Sequence, residues 1–543
     1  MKTDLEISQS ANYKPINEIA NNLGIKDNEI NLYGNKIAKI DLGLLERLKD
    51  KKDGKLILVT AITPTPFGEG KTTMSIAMAD GLKRIGKNVV AALREPSVGP
   101  VLGLKGGASG GGYTQIIPRD KINLHFTGDL HAISSAHNFL SAVIDNHIYY
   151  GNSLNLDKNN IVWPRTLDVN DRALRNVETL NRKDNFIITA ASEIMAILSL
   201  ATSLQDLKLR LSNILIGYNK KGEEVYAKDL NIIDTLVVIL KDALMPNLVQ
   251  TLENTPVFVH GGPFANIAHG CNSILATKMA LKLSDYTLTE AGFGADLGAE
   301  KFIDIKTRIL GKNPDVIVLV STIRALKYHG FIDQGKDEFE ALKAGIINIS
   351  KHALNLKKFN VPYVLVINNF ESDTLEEINY LINWAKENNH PISFVNSFTK
   401  GSIGAVDIAE KIVALAEKPS ELNRVYNLED NLFLKVEKVA KTIYGANGVK
   451  YSKKALNKLT TLNERYSNLA ICIAKTPLSF SHDPKERAAV SNFDLEISNV
   501  RLSRGAGFVV VLTKGIITMP GLPKKPNAEE IFIDEFGIIS GKL

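Results

Sequence analysis

Apolar runs of strand length alternate with helical patterns through the first half of the chain. Residues 55–62 (KLILVTAI) and 88–93 (NVVAAL) are nearly continuous apolar runs, which is typical of strands buried on both faces of a sheet. Between them, apolar residues recur at three- and four-residue spacing from Met74 to Ile85, which predicts one buried face of a helix. This strand–helix–strand order predicts parallel strands joined by a right-handed crossover.

The same alternation continues to about residue 425 and then changes. Residues 1–50 are polar and helix-rich in character, from Ile16 to Leu23 and from Lys36 to Leu48. Beyond residue 425 two helical patterns precede two apolar strands. Further strands are predicted at 256–260, 285–290, 315–322, 362–368, 391–396, 471–476 and 507–513, and further helices at 335–356, 374–388, 429–445 and 452–465.

The predicted class is α/β, with one large domain of mostly parallel strands and two smaller α/β domains. We expect the large domain over residues 1–305, a smaller α/β domain over 306–425 and a C-terminal α/β domain over 426–543. A chain of 543 residues is long enough for about three domains.

Composition excludes several classes of protein. The chain is 44% hydrophobic and 23% charged, which excludes a mainly disordered or collagen-like protein. Its net charge of +6 is small for this length. The sequence shows no dense basic stripe of the kind that binds nucleic acid. Two cysteines are too few for a disulfide framework. Neither a signal peptide nor an apolar run of membrane-helix length is visible, so we expect a cytoplasmic protein without a membrane partner.

A phosphate-binding loop follows the first apolar strand. TPFGEGKT (65–72) fits the P-loop pattern G-x-x-x-x-G-K-[ST] except at its first position, where Thr65 replaces glycine. Glycines let successive N–H groups face a phosphate, and Lys71 adds a positive charge. The Thr72 hydroxyl is a candidate ligand of Mg²⁺. The predicted ATP-binding residues are Thr65, Pro66, Phe67, Gly68, Glu69, Gly70, Lys71 and Thr72.

Other polar and glycine-rich segments follow predicted strands. Arg94 and Glu95 end the second strand, where an arginine suits a carboxylate or an acyl phosphate. A glycine-dense stretch at 103–113 contains Lys105 and Tyr113 and indicates close approach to a ligand or a mobile loop. Asp129 is a candidate for the same site. The neighbouring His125, His131 and His137 lack zinc-site spacing, and a structural role is at least as probable for each.

Two further loops, 259–270 (VHGGPFANIAHG) and 289–302 (TEAGFGADLGAEKF), also follow strands. Glu290, Asp296 and Lys301 are candidate site residues there, although each loop alone also fits an ordinary strand–helix turn. Three such loops in one domain favour a large shared site at the carboxyl ends of the strands.

These segments together resemble the formate–tetrahydrofolate ligase family, in the family's order and over nearly the whole chain. The segments that carry the resemblance are 63–73, 94–97, 103–113, 122–133, 259–273, 290–302 and 518–526. The resemblance implies an enzyme of one-carbon metabolism that joins formate to tetrahydrofolate. Such an enzyme would consume ATP, form formyl phosphate as an intermediate, and yield 10-formyltetrahydrofolate, ADP and phosphate. The resemblance also implies Mg²⁺, a monovalent cation (K⁺ or NH₄⁺) and a homotetramer. With it, residues 1–305 would form a P-loop NTPase-like nucleotide and formyl phosphate domain, and residues 306–425 would contribute to the folate site.

The resemblance also implies residue roles. Lys71 would hold phosphates, and Arg94 would bind formate and then formyl phosphate. Glu95 would position that group, and Asp129 would lie at the same pocket. Phe370 and Phe398 would sandwich the folate pterin, although the family typically has tryptophan where this chain has Phe398, so pterin stacking is expected to be weaker.

Two other functions stay open from the residues alone. The first is another P-loop ligase that activates a carboxylate, of the dethiobiotin-synthetase type. The second is a nucleotide-switch ATPase that hydrolyses ATP and responds to a protein partner. The first does not explain the segments at 259–302. The second would hydrolyse ATP without formate or tetrahydrofolate, whereas the resemblance implies small-molecule substrates (formate, tetrahydrofolate and ATP).

Overall fold

The computed structural model describes residues 2–104, 107–180 and 182–543. Its strands form one large sheet and several small ones. The strands are β1 Ile30–Tyr33, β2 Ile37–Ile40, β3 Lys55–Ala61, β4 Val89–Leu93, β5 Gly110–Gly111, β6 Thr114–Ile117, β7 Leu156–Ile161, β8 Arg165–Leu167, β9 Val177–Glu178, β10 Lys183–Asp184, β11 Phe186–Ile188, β12 Leu215–Asn219, β13 Glu224–Tyr226, β14 Asn247–Thr251, β15 Pro256–Val259, β16 Tyr286–Gly294, β17 Val316–Ser321, β18 Tyr363–Asn368, β19 Ile392–Val395, β20 Gly448–Tyr451, β21 Ala470–Ala474, β22 Asp494–Ser503, β23 Phe508–Thr513, β24 Ile531–Ile533 and β25 Ile539–Gly541.

Helices cover both faces of the large sheet and connect most of its parallel strands. Many begin at a residue whose side chain accepts a backbone N–H of the first turn, such as Ser273 and Thr374. The α-helices are α1 Asp4–Gln9, α2 Ile16–Asn22, α3 Gly43–Arg47, α4 Lys71–Arg84, α5 Val98–Leu102, α6 Arg119–Asn123, α7 Asp129–Tyr149, α8 Glu193–Leu200, α9 Leu204–Ser212, α10 Ile233–Leu240, α11 Ile274–Leu283, α12 Gly298–Lys301, α13 Thr307–Leu310, α14 Ile323–His329, α15 Glu338–Lys358, α16 Leu375–Glu387, α17 Ser397–Lys400, α18 Val406–Ala416, α19 Leu432–Val439 and α20 Lys453–Tyr466.

The centre of the large sheet is parallel. Its order is β15-β4-β16-β3-β17-β18-β19, and every neighbouring pair in this run is parallel. These strands are apolar and almost wholly buried, as the continuous apolar runs predict. Their carboxyl ends therefore share one edge, where ligands bind in sheets of this kind. The predicted α/β class with mostly parallel strands is confirmed.

One side of the large sheet is antiparallel, and the sequence did not indicate this. Residues from Lys36 to Leu48 were predicted to be helix-rich, but Ile37–Ile40 is strand β2. It pairs with β1 on one side and with β14 on the other, with Ala38 opposite Leu248. All four of its residues are buried, so tertiary pairing outweighs the local helical pattern. The prediction for residues 37–40 was wrong.

A second, mixed sheet lies in the C-terminal part, in the order β20-β22-β23-β21. It packs into the same apolar cluster as helices α14, α15, α19 and α20, so this part shares a core with the large sheet. The large sheet has strands on both sides of residue 305, and the boundaries near 305 and 425 stay predictions. No helix in the described part of the chain is long and apolar enough to cross a bilayer.

Candidate active site

The loop between β3 and α4 has the backbone that its glycines predict. Gly68 and Gly70 adopt φ of +74° and +76°, which a side chain would strain. The Thr65 N–H donates to Glu69 Oε1 at 2.7 Å, inside the loop. The side-chain amide of Asn368, at the end of β18, fills the space where a Cβ on Gly70 would lie. The loop is therefore held between its own turn and a neighbouring strand end.

Lys71 begins α4 among buried carboxylates. Burial lowers the pKa of Lys71, and the negative charges of Glu69 and Glu290 oppose this effect. Burial also raises the pKa of Glu69, against the effect of the Lys71 charge. An ammonium with little water around it interacts strongly with a phosphate placed beside it. The arrangement suits the binding of a polyphosphate at the start of the helix.

Glu290 joins the phosphate loop to Arg94. The Thr72 hydroxyl donates to Glu290 Oε2 at 2.9 Å, and Arg94 Nε contacts Glu290 Oε1 at 3.4 Å. This meeting follows from the sheet order, because β16 lies between β3 and β4. Thr72 and Arg94 come from the segments after those two outer strands, and sequence reasoning had placed all three residues at one edge.

Glu95, the residue after Arg94, forms an acidic pair with Asp129. Both are buried, at 4% and 2% exposure. Burial and the neighbouring Asp129 charge raise the pKa of Glu95 well above its ordinary value. Glu95 Oε2 accepts no hydrogen bond from the described residues. The predicted closeness of Asp129 to Glu95 agrees with this geometry.

Two residues that sequence reasoning missed hold Asp129. Lys39 Nζ donates to Asp129 Oδ1 at 2.7 Å, and Asn247 Nδ2 donates to Oδ2 at 2.8 Å. Lys39 is 1% exposed and also donates to the carbonyl of Met245 at 3.0 Å. Lys39 and Asn247 are partners in the β2–β14 register, so the unexpected strand places them there. The only signal was a lone lysine in the apolar run IAKI.

The two predicted folate-binding aromatics follow the adjacent parallel strands β18 and β19. Phe370 is half-buried, and the guanidinium of Arg324 lies 5.4 Å from its ring centre and 4.7 Å from that of Phe67. Phe398, in α17, packs on the glycine-dense segment: a Cβ on Gly112 would lie 2.9 Å from Phe398 Cγ. An aromatic surface therefore stands at the same sheet edge as the phosphate loop.

The glycine-dense stretch at 103–113 is fixed where it is described. The Tyr113 N–H donates to the carbonyl of Phe398 at 2.9 Å, and the Gly112 N–H donates to Asp4 Oδ1 at 2.8 Å. Half of the Tyr113 side chain is exposed. Lys105, also singled out in this stretch, lies outside the described residues. The glycines therefore let the backbone approach Phe398 and Asp4 closely, and the predicted approach to a ligand stays a prediction.

The remaining candidate residues have structural partners. Asp296 and Lys475 form a buried ion pair at 2.9 Å, and the Lys301 ammonium donates to the carbonyl of Ala265. His137 stacks on Trp163 with ring centres 4.1 Å apart, and burial lowers the pKa of His137 to about 3. Among the described residues, no group of three or more His, Cys, Asp or Glu is placed to hold a metal ion. The structural interpretation of His137 is supported.

Comparison with known proteins gives the family. The family model for formate–tetrahydrofolate ligase matches residues 2–543. The chain belongs to the formate–tetrahydrofolate ligase family. The formate–tetrahydrofolate ligase of Petrotoga mobilis is 52% identical over 553 aligned residues, which cover 100% of both chains. Family membership confirms the resemblance inferred from the motifs.

Membership also decides between the functions that the sequence left open. Formate–tetrahydrofolate ligases join formate to tetrahydrofolate at the expense of ATP, and this chain is such an enzyme. The dethiobiotin-synthetase type of ligase and the nucleotide switch are not favoured. The roles of individual residues, by contrast, rest on the geometry above.

Proposed function

We propose that this ligase works through formyl phosphate at the shared carboxyl edge of β3, β4 and β16. The observation that carries the proposal is the convergence of Thr72 and Arg94 on one buried carboxylate, Glu290. It brings a phosphate-binding loop next to a guanidinium that suits a carboxylate. These are the two groups that transfer of a phosphoryl group to formate requires.

The first step joins two anions. A formate oxygen attacks the γ-phosphorus of ATP, the bond to the bridging oxygen breaks, and ADP leaves. Lys71 and the backbone N–H groups of residues 68–72 hold the phosphates, while Arg94 orients the formate and neutralises charge on the transferring group. No protein nucleophile is needed, because the substrate carboxylate is itself the nucleophile.

The second step is transfer of the formyl group. The N10 amine of tetrahydrofolate attacks the formyl carbon, phosphate leaves with the electron pair of the C–O bond, and the N10 proton passes to the departing phosphate. Glu95 would position the acyl phosphate and its attacking partner, and Asp129 would lie beside Glu95 in the same pocket. Burial keeps Glu95 a weak acid, since its pKa is raised, so its carboxyl group can hydrogen-bond in either protonation state.

The residues present fit the metal ions that the family implies. The Thr72 hydroxyl and the nearby Glu290 carboxylate are hard oxygen donors of the kind Mg²⁺ prefers, and Thr72 would hold it. Mg²⁺ supplies charge neutralisation of the ATP phosphates. Glu95 Oε2 has no partner among the described residues and lies close to Asp129, which suits a monovalent cation, K⁺ or NH₄⁺.

Folate would lie on the aromatic surface beyond the phosphate loop. Phe370 and Phe398 follow neighbouring strands, and each is only half-buried. A pterin ring between them would lie at the same sheet edge as the phosphate loop. The P-loop NTPase-like fold, the three domains, the homotetramer and the cytoplasmic location belong to the same proposal.

The experiment that tests this function measures ADP release by purified protein with Mg-ATP, with formate and tetrahydrofolate added singly and together. We expect strong turnover only with both, and methenyltetrahydrofolate after acid treatment of the product. ATP hydrolysis that needs neither substrate would contradict the proposal. The variant Lys71→Ala should lose this turnover. Lys418→Ala, at an exposed position far from the loop in sequence, is its control.

A further inference from the structure

Glu290 is a buried carboxylate at the centre of the site. It is 1% exposed and lies on β16, in register with Val59 of β3. The phosphate-loop strand is on one side of it and the Arg94 strand is on the other. A buried carboxylate in this place carries a large free-energy cost unless both oxygens have donors.

The two oxygens of Glu290 serve two different functional groups. Oε2 accepts the Thr72 hydroxyl at 2.9 Å, and Oε1 lies 3.4 Å from Arg94 Nε. Since the hydroxyl proton is directed to Glu290, the oxygen lone pairs of Thr72 are left for a cation. Since Nε faces Glu290, the Nη1 and Nη2 groups of Arg94 are left as the edge that can bind a carboxylate.

A bulge in β16 provides a second contact for the Arg94 guanidinium, besides Glu290. Glu290 pairs with Val59 and Gly294 with Ala61, so β16 has two more residues than β3 between these pairs. Within the bulge, a Cβ on Gly292 would lie 2.7 Å from Arg94 Nη1, so the guanidinium rests directly on this glycine. The Gly292 N–H donates to the carbonyl of Gly270 at 2.9 Å, which anchors the bulge.

We propose that Glu290 is a positioning residue that orients both the Thr72 hydroxyl and the Arg94 guanidinium through its two carboxylate oxygens. It links nucleotide binding to formate binding, because one side chain fixes a group for each. The inference deepens the proposed function and rests on the proposed role of Arg94 in binding formate.

Two variants separate this role from simple packing. Glu290→Gln keeps the size but has only one acceptor oxygen, so one of its two donors faces an NH₂ group. Glu290→Asp keeps the charge but is one methylene shorter, and reaches the two partners less well. Glu410→Gln, at an exposed position on α18, is the matched control.

The assays are steady-state kinetics with formate and calorimetric binding of ADP with and without Mg²⁺. We expect Glu290→Gln to raise the KM for formate about tenfold or more. We also expect it to reduce the gain in ADP affinity that Mg²⁺ gives, with ADP affinity in the absence of Mg²⁺ within about twofold of wild type. Glu290→Asp should restore part of both effects, which a packing role would not predict.

Arg94→Lys distinguishes failure of this inference from failure of the proposed arginine role. If Arg94→Lys raises the KM for formate but a folded Glu290→Gln protein does not, the role of Glu290 is overturned alone. If neither variant changes that KM, the role of Arg94 falls and the inference with it. Equal losses of ADP affinity with and without Mg²⁺ in Glu290→Gln would also overturn the inference, since they indicate general damage.

Discussion

Replacing Lys39 with methionine tests the buried network that holds Asp129. Lys39 Nζ is 2.7 Å from Asp129 Oδ1, and the two side chains are 1% and 2% exposed. Methionine has a similar length but no charge, so Asp129 loses the donor from Lys39 and keeps the one from Asn247. Removing one partner of a buried ion pair costs about 3–5 kcal/mol, since the other charge is left in a low-dielectric interior. We expect a destabilisation of this size.

The assay is denaturant unfolding followed by the fluorescence of Trp163, with every variant made in a Trp384→Phe background because the chain has two tryptophans. Trp163 reports on helix α7, which begins at Asp129, because it stacks on His137 of that helix. Lys26→Met, at an exposed position, is the control and should lie within about 0.5 kcal/mol of wild type. The unfolding midpoints of the variants are compared in the same conditions.

A second substitution separates charge from shape. In the double variant Lys39→Met with Asp129→Asn no buried charge is left unpaired, so we expect most of the lost stability to return, while activity stays low. If Lys39→Met alone unfolds like the Lys26→Met control, the ion pair does not stabilise the site, and the reasoning is wrong. If the double variant loses as much unfolding free energy as the two single variants together, or more, the loss is due to shape and not to charge.

Three further predictions concern other parts of the site and its helix. Lys71→Ala should abolish phosphoryl transfer while the circular dichroism spectrum is kept; near-normal turnover would refute the phosphate role of Lys71. Phe398→Trp should lower the KM for tetrahydrofolate by about two- to fivefold, as expected from about 0.5–1 kcal/mol of added stacking; an unchanged KM would favour a packing role. Burial raises the pKa of Asp80 to about 7, so its contribution to stability is present below its ordinary pKa of 3.8 and is lost as the pH rises through 7. Asp80→Asn should therefore weaken the fall in unfolding free energy between about pH 4 and about pH 7; equal slopes over that range in both proteins would contradict it.

The parallel part of the fold could be predicted from local pattern. Residues 55–62 and 88–93 were expected as strands and are found at 55–61 and 89–93, because strands buried on both faces must be continuously apolar. The helix expected from the 71–85 pattern is Lys71–Arg84. Since parallel strands end at one edge, the grouping of Lys71, Arg94 and Glu290 followed from the same pattern.

The antiparallel side could not be predicted in the same way. β2 is four residues long and β14 contains polar residues, so neither gives a strong periodic signal. Their pairing brings together Lys39 and Asn247, which are far apart in sequence, and places both against Asp129. The packing of Phe398 on Gly112 is likewise a long-range contact. Contacts of this kind depend on tertiary structure, which no local window of sequence encodes.

The most direct test of the formyl phosphate mechanism uses formate in which both oxygens are ¹⁸O. If a formate oxygen attacks the γ-phosphorus of ATP, that oxygen stays with phosphorus when the amine later displaces phosphate. Mass spectrometry of the inorganic phosphate should then show one ¹⁸O atom for each 10-formyltetrahydrofolate formed in the wild-type protein. Phosphate without ¹⁸O would contradict the mechanism, because formate would then reach tetrahydrofolate without bonding to phosphorus.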